Sequence, residues 1–595
     1  MTGVGRTIDR RAFLAGVVGT AAGSAGCLGQ LQASVDRDTP EQVSLSIMTV
    51  PADEDRAPVQ IARHLAENLA RGGIDATVQP VTTEQLLRDV LINHDFELYV
   101  GQYPGFFDPD YLYGLVHSRF AEEQGWQNPF GYANVSEVDG LLERQRQAND
   151  RETVLEELQA VLLEEAPFSV IVYPEEPRAI REDRYSGWRH RSLEQPLGYL
   201  SLDAHEAARR EGDREADTLY MGITDRRITR NRNPFAVEFR HRGIIMGLMY
   251  DSLGRHLNGS IVPWLARDWE WNDGPRTTIR LRLREGLQWH DGEALTATDV
   301  AFTYRFLLDT TMSDENPVIP TPRFRSRSSL VESVEVIGDR EVEFSLVDCR
   351  EEVGLRALTV PLVPAHVWRE RTDVTSITGV EGSNVTEALV WDNPEPVGSG
   401  PLQYADAIVD ERLELTRFDD HFLRDELPDD TALEEFAGGP PYEWIRFLYS
   451  PSQANLVELL QAGRLDASAA SLTATEVPRA ERASNVSVRV ERTNAHYHVG
   501  FNNRNAPLSN PRFRAAVARL VDREYLRTEI FEGFATPSLS PLGLRTTAGD
   551  EWQSNHSNGF AGRSGTGTVD ETTAHELFRE AGYMYNENDE LVARQ

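Results

Sequence analysis

The sequence contains no lysine, and all 60 of its basic residues are arginine. This absence excludes chemistry that needs a lysine amine, such as the phosphate-binding P-loop and Schiff-base formation. Other enzyme signatures are also missing. There is no G-x-S-x-G and no C-x-x-C, and the His205-Glu206 and His575-Glu576 pairs lack the second histidine of a zinc-protease helix. We therefore expect no enzymatic activity, no cofactor and no metal.

Positive charge is scarce overall. The chain has 95 acidic residues and a net charge of −35, without a basic stripe that could neutralise phosphates. Nucleic acid is therefore not an expected partner. The acidic, all-arginine composition resembles that of proteins from salt-loving archaea, in which salt screens self-repulsion. A chain of 595 residues is too long for one core, so two or three lobes are expected.

Long apolar runs are absent as well. The run that follows Arg10 and Arg11 has roughly 15 residues, which suits an export signal but is too short to span a bilayer. The arginine pair followed by Phe-Leu resembles a twin-arginine signal, and Ser24-Ala25-Gly26-Cys27 resembles a lipobox. We predict a signal over 1–26, lipidation of Cys27 and a polar tether over 27–42. Only Cys349 then remains, which leaves no intrachain disulfide.

Hydrophobic periodicity predicts an α/β fold. Strands are expected at 43–50, 76–81 and 96–101, and the helical patterns between them make a βαβαβ run with a parallel sheet. The stretch 168–174 is apolar enough to be a central strand. The charged stretch 203–216 predicts a solvated helix or linker, and a helix is expected over 510–526, with Asn510 as its N-cap.

Residues 264–307, which include WLARDWEW and LREGLQWHDGEALTATDV, resemble the extracellular solute-binding proteins of peptide-type ABC importers. Further similar blocks follow in the family's order at 395–422, 456–468, 499–526 and 574–583. The resemblance implies an α/β, bilobed, periplasmic-binding-protein-like clamshell with an additional small subdomain. The ligand would lie between the lobes and be enclosed by a hinge motion.

The order of the blocks is unusual. Residues 43–112 and 132–174 resemble the closing part of the family pattern, which normally follows the block at 574–583. The sequence therefore predicts a circular permutation, with new ends between Gln595 and Val43. Two fused partial copies, or a misjoined gene, are the alternatives. The predicted organisation is lobe II from 43–164 and 496–595, a return into lobe I at 165–200, a charged linker at 201–217, more of lobe I at 218–258 and 394–495, and the subdomain at 259–393.

The loop GQYPGFFDPDYLY (101–113) follows a predicted parallel strand at its carboxyl end, where α/β sheets bind ligands. We expect an apolar wall for the ligand from Tyr103, Phe106, Phe107 and Tyr111. Packing of these aromatic side chains against their own lobe is the alternative.

Peptide binders of the family hold the ligand's α-amino group with an aspartate in this loop, and the matching position here is Gly105. The family's tryptophan position is Gln102. Asp108 and Glu238 are the candidate anions that remain, although Asp108 also suits a turn or cap.

Other candidates come from later blocks. Gly398 and Gly400 resemble a family turn that brings backbone close to the cleft, and a plain tight turn is the alternative. Tyr497 and Asn502 are expected ligand contacts near the crossover between lobes.

His496 and His498 share one face of a predicted strand, a spacing that suits metal ligation. No third ligand is apparent nearby, so no metal is predicted.

Together these features predict a monomeric, lipid-anchored receptor on the extracellular face of the cytoplasmic membrane. It would capture a small molecule, with a peptide favoured, and deliver it to an ABC permease driven by a separate ATPase subunit. Alternatives are a non-peptide solute, such as an oligosaccharide, an opine or a chelated metal, or a sensory or adhesive surface protein on the same fold.

Overall fold

The computed structural model describes the chain in eight stretches, which are 41–105, 108–133, 136–210, 215–237, 243–375, 385–425, 432–543 and 559–593. The signal residues Arg10 and Arg11 and the lipobox Cys27 lie outside them. Among the described residues, no helix has both the length and the apolarity that crossing a membrane requires.

The strands are β1 (Ser44–Thr49), β2 (Asp75–Pro80), β3 (Leu98–Tyr103), β4 (Phe168–Arg181), β5 (Tyr185–Ser186), β6 (Asp203–Ala204), β7 (Thr218–Ile223), β8 (Gly254–Leu257), β9 (Ser260–Pro263), β10 (Ala266–Asp273), β11 (Thr277–Leu283), β12 (Val331–Gly338), β13 (Glu341–Leu346), β14 (Val374–Thr375), β15 (Val385–Thr386), β16 (Leu402–Ile408), β17 (Arg412–Arg417), β18 (Trp444–Tyr449), β19 (Ala467–Ser468), β20 (Val486–Arg492), β21 (His496–Phe501), β22 (Ala535–Pro537), β23 (Met584–Tyr585) and β24 (Leu591–Val592).

The α-helices span Arg56–Arg71, Thr83–Arg88, Tyr111–Val116, Ser136–Gln147, Arg151–Glu165, Pro196–Leu200, Met246–Met249, Ala297–Leu308, Arg325–Ser328, Glu351–Gly354, Ala365–Trp368, Glu387–Val390, Gln453–Gln461, Val477–Glu481, Pro511–Ala518, Arg523–Tyr525 and Glu571–Glu580.

One mixed sheet dominates the molecule, with the strand order β16-β17-β18-β7-β19-β4-β21-β3-β1-β2 and with β20 and β22 also paired to β4. The 14-residue strand β4 joins the two halves of this sheet. Its first residues pair with β21 and β22, and its last residues pair with β20 and β19. We call the half around β21-β3-β1-β2 lobe II and the half around β16-β17-β18-β7-β19 lobe I. A separate sheet, β10-β11-β13-β12, forms the subdomain.

The predicted βαβαβ run is confirmed. Strand β1 pairs in parallel with both β2 and β3. The connecting helix Arg56–Arg71 begins where the Asp55 side chain accepts a hydrogen bond from the Ala57 amide, as expected of an N-cap. The crossover helices therefore place the end of β3, and the loop after it, at the carboxyl edge of the sheet.

Two local predictions need correction. The helix expected over 510–526 ends at Ala518, because Asp522 starts a new turn by accepting hydrogen bonds from the amides of Tyr525, Gly565 and Gly567. The stretch 203–216 is not simply solvated. Its described part contains β6, which pairs with β5, and the fully buried Ala208.

The hydrophobic cores follow the same division into two lobes as the two halves of the sheet. One large hydrophobic cluster runs continuously through lobe I and the subdomain, from Leu219 in β7 to Trp368. Lobe II has two further clusters, one around Leu65 and Phe513 and the other around Leu112 and Phe130, and the second also includes Val237 from the segment after β7. Separate cores joined by few strands permit relative motion of the two bodies.

Lobe II is assembled from two stretches that are distant in the sequence. The Val43 amide donates to the Leu591 carbonyl oxygen at 2.8 Å, and Gln42 bridges to Val592. The residues on either side of the predicted new ends are therefore neighbours. Permutation remains a prediction, and this adjacency makes it testable.

We predict that moving residues 43–210 behind Gln595 leaves the fold intact, because the new junction joins neighbouring residues and the moved block keeps β6 with β5. Circular dichroism and urea unfolding should match the original chain to within about 1 kcal/mol. Moving only 43–160 divides the helix Arg151–Glu165 and should prevent folding. If the first rearrangement also failed to fold, the permutation hypothesis would be wrong.

Candidate functional site

Two adjoining cavities lie where lobe I, lobe II and the subdomain meet. The first, of about 360 Å³, is lined by Tyr103, Tyr250 and Arg327, one from each body. The second, of about 890 Å³, lies mainly between the lobes and includes Tyr497. Both are lined by Trp126 and Met246, and they therefore share a wall. We call them the arginine cavity and the carboxylate cavity, after the side chains that distinguish them.

The loop after β3 enters the arginine cavity, as the sequence predicts for the carboxyl end of a parallel strand. The Tyr103 ring packs 5.2 Å from Tyr111 and 5.0 Å from Trp126, centroid to centroid. The Tyr111 hydroxyl donates to the Pro541 carbonyl oxygen. Both tyrosines are buried, line the cavity and also pack within their own lobe. The two expected roles of Tyr103 and Tyr111, as a wall for the ligand and as packing within their own lobe, are therefore compatible.

Asp108 lines the same cavity and also anchors the loop. Its carboxylate accepts two hydrogen bonds from the Arg151 guanidinium, at 2.8 and 2.6 Å, and one from the Asp110 amide at 2.8 Å. Burial alone would raise the pKa of Asp108, but the hydrogen bonds and attraction from Arg151 outweigh it and lower the pKa to about 2. This carboxylate is thus ionised and already engaged by a cation.

Gly105 explains why this loop cannot carry the aspartate of the peptide binders. Its φ is +78°, and a Cβ atom there would lie 2.4 Å from the carbonyl carbon of Asn494. That contact comes from the segment just before β21. Any side chain at 105 would therefore displace backbone.

Three predicted contacts are not brought to the cavities. The turn at Gly398 and Gly400 is held instead against His290 and Met249, since the Gly398 amide donates to His290 Nδ1 at 3.2 Å and the Gly400 amide to the Met249 carbonyl at 2.8 Å. A Cβ atom at Gly398 would lie 2.0 Å from that same Met249 oxygen. Close packing, rather than a ligand, is what requires glycine there.

Asn502 is the third of these residues. Its side-chain amide donates to the carbonyl oxygens of His94, at 3.1 Å, and Phe96, at 2.7 Å, inside lobe II. The side chain fixes the turn before β3.

Tyr497 lies at the carboxylate cavity, as its position opposite the histidines predicts. Its hydroxyl donates to Asp55 Oδ2 at 2.8 Å, and its ring packs 5.3 Å from Phe531. Asp55 is also the cap of the helix Arg56–Arg71.

His496 and His498 share one buried face of β21, with ring centroids 5.6 Å apart. They pack among aromatic side chains, and His498 Nε2 lies 2.6 Å from the Tyr99 hydroxyl. Burial lowers both pKa values, that of His498 to about 3, so both rings are neutral near pH 7. No group of three or more metal-ligating side chains occurs in the stretches that the structure describes.

Phe106, Phe107 and Glu238, the remaining predicted contacts, lie outside the described residues, as do Cys27, Arg10 and Arg11.

The charged linings were not anticipated from the sequence. Nine acidic residues line the carboxylate cavity against three arginines. Those acidic residues are Asp53, Glu54, Asp55, Glu175, Glu176, Asp225, Glu476, Glu529 and Glu532. Arg323, Arg325 and Arg327 line the other cavity. The sequence contains one indication of the arginine cavity, because the run Arg-Phe-Arg-Ser-Arg (323–327) is unusually basic for so acidic a chain.

Polar contacts hold lobe II against the subdomain beside the arginine cavity. The fully buried Asp110 carboxylate accepts hydrogen bonds from Arg146 of its own lobe, at 2.6 and 3.1 Å, and from Arg356 of the subdomain. Glu123 likewise pairs with Arg325, at 2.7 and 3.1 Å. Loss of either arginine would leave the buried Asp110 charge poorly compensated, which is costly in a site without water.

Comparisons with known proteins match part of this chain to one family. Residues 260–594 match the family described as bacterial extracellular solute-binding proteins, family 5 Middle. The oligopeptide-binding protein AppA of Bacillus subtilis is 24% identical over 254 residues, which are 42% of this chain and 40% of AppA. The peptidoglycan-binding protein YepA of Agrobacterium fabrum is 26% identical over 331 residues, 51% of this chain and 48% of YepA. The chain thus matches less than half the length of these relatives.

Similar solved structures include NikZ of Campylobacter jejuni in complex with Ni(L-His), with a TM-score of 0.44 and 17% identity over 63% of this chain and 65% of NikZ. The nonapeptide complex of Bacillus subtilis AppA has a TM-score of 0.42 and 20% identity over 62% of this chain and 65% of AppA.

We predict that Gly105→Ala lowers the free energy of unfolding by about 3 kcal/mol, the sum of a left-handed backbone cost and a clash with Asn494. Gly286→Ala is the matched control, since Gly286 also has positive φ (+70°) but nothing within 4 Å of its Cβ position. The control should cost only about 1 kcal/mol. Equal losses in urea unfolding would show that the close approach to Asn494 is not a constraint.

Proposed function

Because the chain belongs to family 5 of the bacterial extracellular solute-binding proteins, we propose that it captures a small solute between its two lobes and delivers it to an ABC permease. It catalyses no reaction. A separate ATPase subunit would supply the energy of transport, and the binding protein would act as a monomer. A peptide is the favoured solute.

The observation that carries this proposal is the position of the two cavities. They lie at the junction of two lobes with separate cores, and β4 crosses between those lobes. Pockets of about 300–1,000 Å³ are typical of small-molecule sites and occur preferentially at domain interfaces. A solute seated there would contact both lobes at once and so favour their closure.

The linings support a peptide over an uncharged solute. The carboxylate cavity suits an ammonium group, and the arginine cavity suits a carboxylate, so a zwitterion would find a partner at each end. Buried tyrosines and Trp126 between them offer apolar surface with room for different side chains.

Peptide binding can be tested by calorimetric titration of tri- to pentapeptides into the full chain carrying Cys27→Ser, in concentrated KCl in view of the acidic surface. We expect binding that Trp126→Ala weakens by roughly tenfold or more, because Trp126 lines both cavities. Trp269→Ala, in the subdomain strand β10 and not among the residues that line either cavity, is the control and should leave binding unchanged. If no peptide bound, or if both variants behaved alike, the proposed function would be contradicted.

We further propose that the protein is exported and held at the extracellular face of the cytoplasmic membrane by a lipid on Cys27. The support is the arrangement of Arg10, Arg11, the short apolar run and the lipobox-like Ser24-Ala25-Gly26-Cys27. Each buried methylene of a lipid chain contributes about 0.8 kcal/mol, so two chains anchor firmly.

Replacing Cys27 by serine removes the attachment atom for the lipid. Cys27→Ser should therefore move the protein from the membrane fraction to the medium, as measured by immunoblotting of both fractions. Ser24→Ala, which leaves the thiol in place, should stay with the membrane. Retention of the Cys27→Ser protein on the membrane would assign the anchor to another segment or to a partner.

A further inference from the structure

The sequence contains five Asn-x-Ser/Thr tripeptides, or sequons, which begin at Asn134, Asn258, Asn384, Asn485 and Asn555. A sequon is the acceptor for N-linked glycans on exposed segments of secreted proteins. Asn258 and Asn485 lie in the described residues, and the other three lie outside them. Because a three-residue motif also arises by chance, the surroundings of each asparagine have to decide whether it can accept a glycan.

Asn258 lies at the tip of the β8-β9 hairpin. Leu257 pairs with Ser260, so Asn258 and Gly259 form a two-residue turn. Their φ values are +52° and +88°, and Asn-Gly is the preferred pair for a turn in which both residues have positive φ. All three residues of the sequon are exposed, and a Cβ atom at Gly259 would meet nothing within 4 Å. The sequon therefore has open space around it.

The side-chain atoms that a glycosyltransferase needs are also accessible at this turn. Asn258 Oδ1 accepts one long hydrogen bond, from Arg191 at 3.3 Å, whereas Asn258 Nδ2 donates none to the described residues. The Ser260 hydroxyl donates to the Leu257 carbonyl oxygen, also at 3.3 Å. Both contacts are at the weak end of hydrogen-bond geometry, so the amide nitrogen and the hydroxyl can be engaged at little cost.

The sequon at Asn485 is built into the main sheet instead. Ser487 lies in β20 and pairs with Ile180 of β4, and its hydroxyl oxygen is buried. With the amide oriented to satisfy both of its polar atoms, the Asn485 oxygen accepts two hydrogen bonds from Arg181, at 2.9 and 2.6 Å. An enzyme could read this sequon only by separating the start of β20 from β4, which would break ladder hydrogen bonds.

We propose that Asn258 is an N-glycosylation site and that the folded protein withholds Asn485. The donor is an oligosaccharide linked to a polyprenyl phosphate. Asn258 Nδ2 attacks C1 of the first sugar, loses one proton and forms the new C–N bond. The bond between C1 and the phosphate oxygen breaks, and the polyprenyl phosphate leaves with that electron pair. The step is a group transfer that needs no oxidant or reductant.

The inference rests on the export that is part of the proposed function, because the transfer takes place outside the cytoplasm. A twin-arginine signal directs proteins that are already folded, so the transferase meets the folded structure rather than an unfolded chain. Accessibility in the fold then determines which sequon is modified. Asn258 is not among the residues that line either cavity, so solute capture and glycosylation can be tested separately.

The first test is mass spectrometry of proteolytic peptides from the wild-type protein, isolated from the cells that make it. We expect the peptide with Asn258 to carry the added mass of a glycan and the peptide with Asn485 to carry none. Ser260→Ala keeps the asparagine and the turn but removes the hydroxyl of the sequon, and it should abolish the added mass. Ser260→Thr restores the sequon and should retain the glycan. Ser487→Ala is the matched control at the other sequon and should change nothing.

The second test asks whether the fold makes the choice. The purified, unglycosylated full chain is incubated with an oligosaccharyltransferase and its lipid-linked oligosaccharide, in parallel with short synthetic peptides that contain each sequon. We expect both peptides to accept the glycan, whereas the folded protein accepts it at Asn258 and not at Asn485. Modification of Asn485 in the folded protein would overturn the role assigned to β20.

The outcomes separate the inference from the function on which it rests. If the protein were recovered outside the cells with Asn258 unmodified, the glycosylation site would be overturned while export and solute capture stood. If the protein stayed inside the cells, the proposed export would be contradicted, and glycosylation in the cell would fall with it.

Discussion

The structure depends on one strand that belongs to both lobes. Strand β4 pairs through Phe168–Val172 with β21 and through Glu175–Arg181 with β20, and nearly all of its 14 residues are buried. Because the cores on its two sides are separate, the hydrogen bonds of β4 form much of the continuous connection between them. We propose that β4 forms the axis about which the two lobes move, with the cavities at their junction.

Charge is distributed around that junction in an ordered way. One cavity is rich in carboxylates and the other in guanidinium groups, and they share a wall at Trp126. Arg356 takes part in two arrangements, since it lines the arginine cavity and donates to Asp110 across the boundary between lobe II and the subdomain. A solute that changed the position of Arg356 would therefore act on the contact between the bodies as well as on its own binding.

Much of the fold could be predicted because its signals are local. Alternation of strands and helices gave the βαβαβ run, and the end of β3 located the loop with Tyr103 and Tyr111. The site was harder, because its members come from distant segments. Gly105 is constrained by Asn494, nearly 400 residues later, and no local pattern reveals that contact. Gly398, Gly400 and Asn502 suited the resemblance but hold local structure, and the only indication of the arginines at 323–327 was that their own short run is basic within an acidic chain.

The account's central claim is that the lobes close on a solute around β4. The most direct measurement is the distance between spin labels at Val409→Cys in lobe I and Asp75→Cys in lobe II, in the Cys27→Ser background, by pulsed electron paramagnetic resonance. Both sites are exposed, and the remaining Cys349 is buried. Saturation with a bound peptide should shift the distance distribution and narrow it. An unchanged distribution at full occupancy would contradict closure and would require the cavities to fill without movement of the lobes.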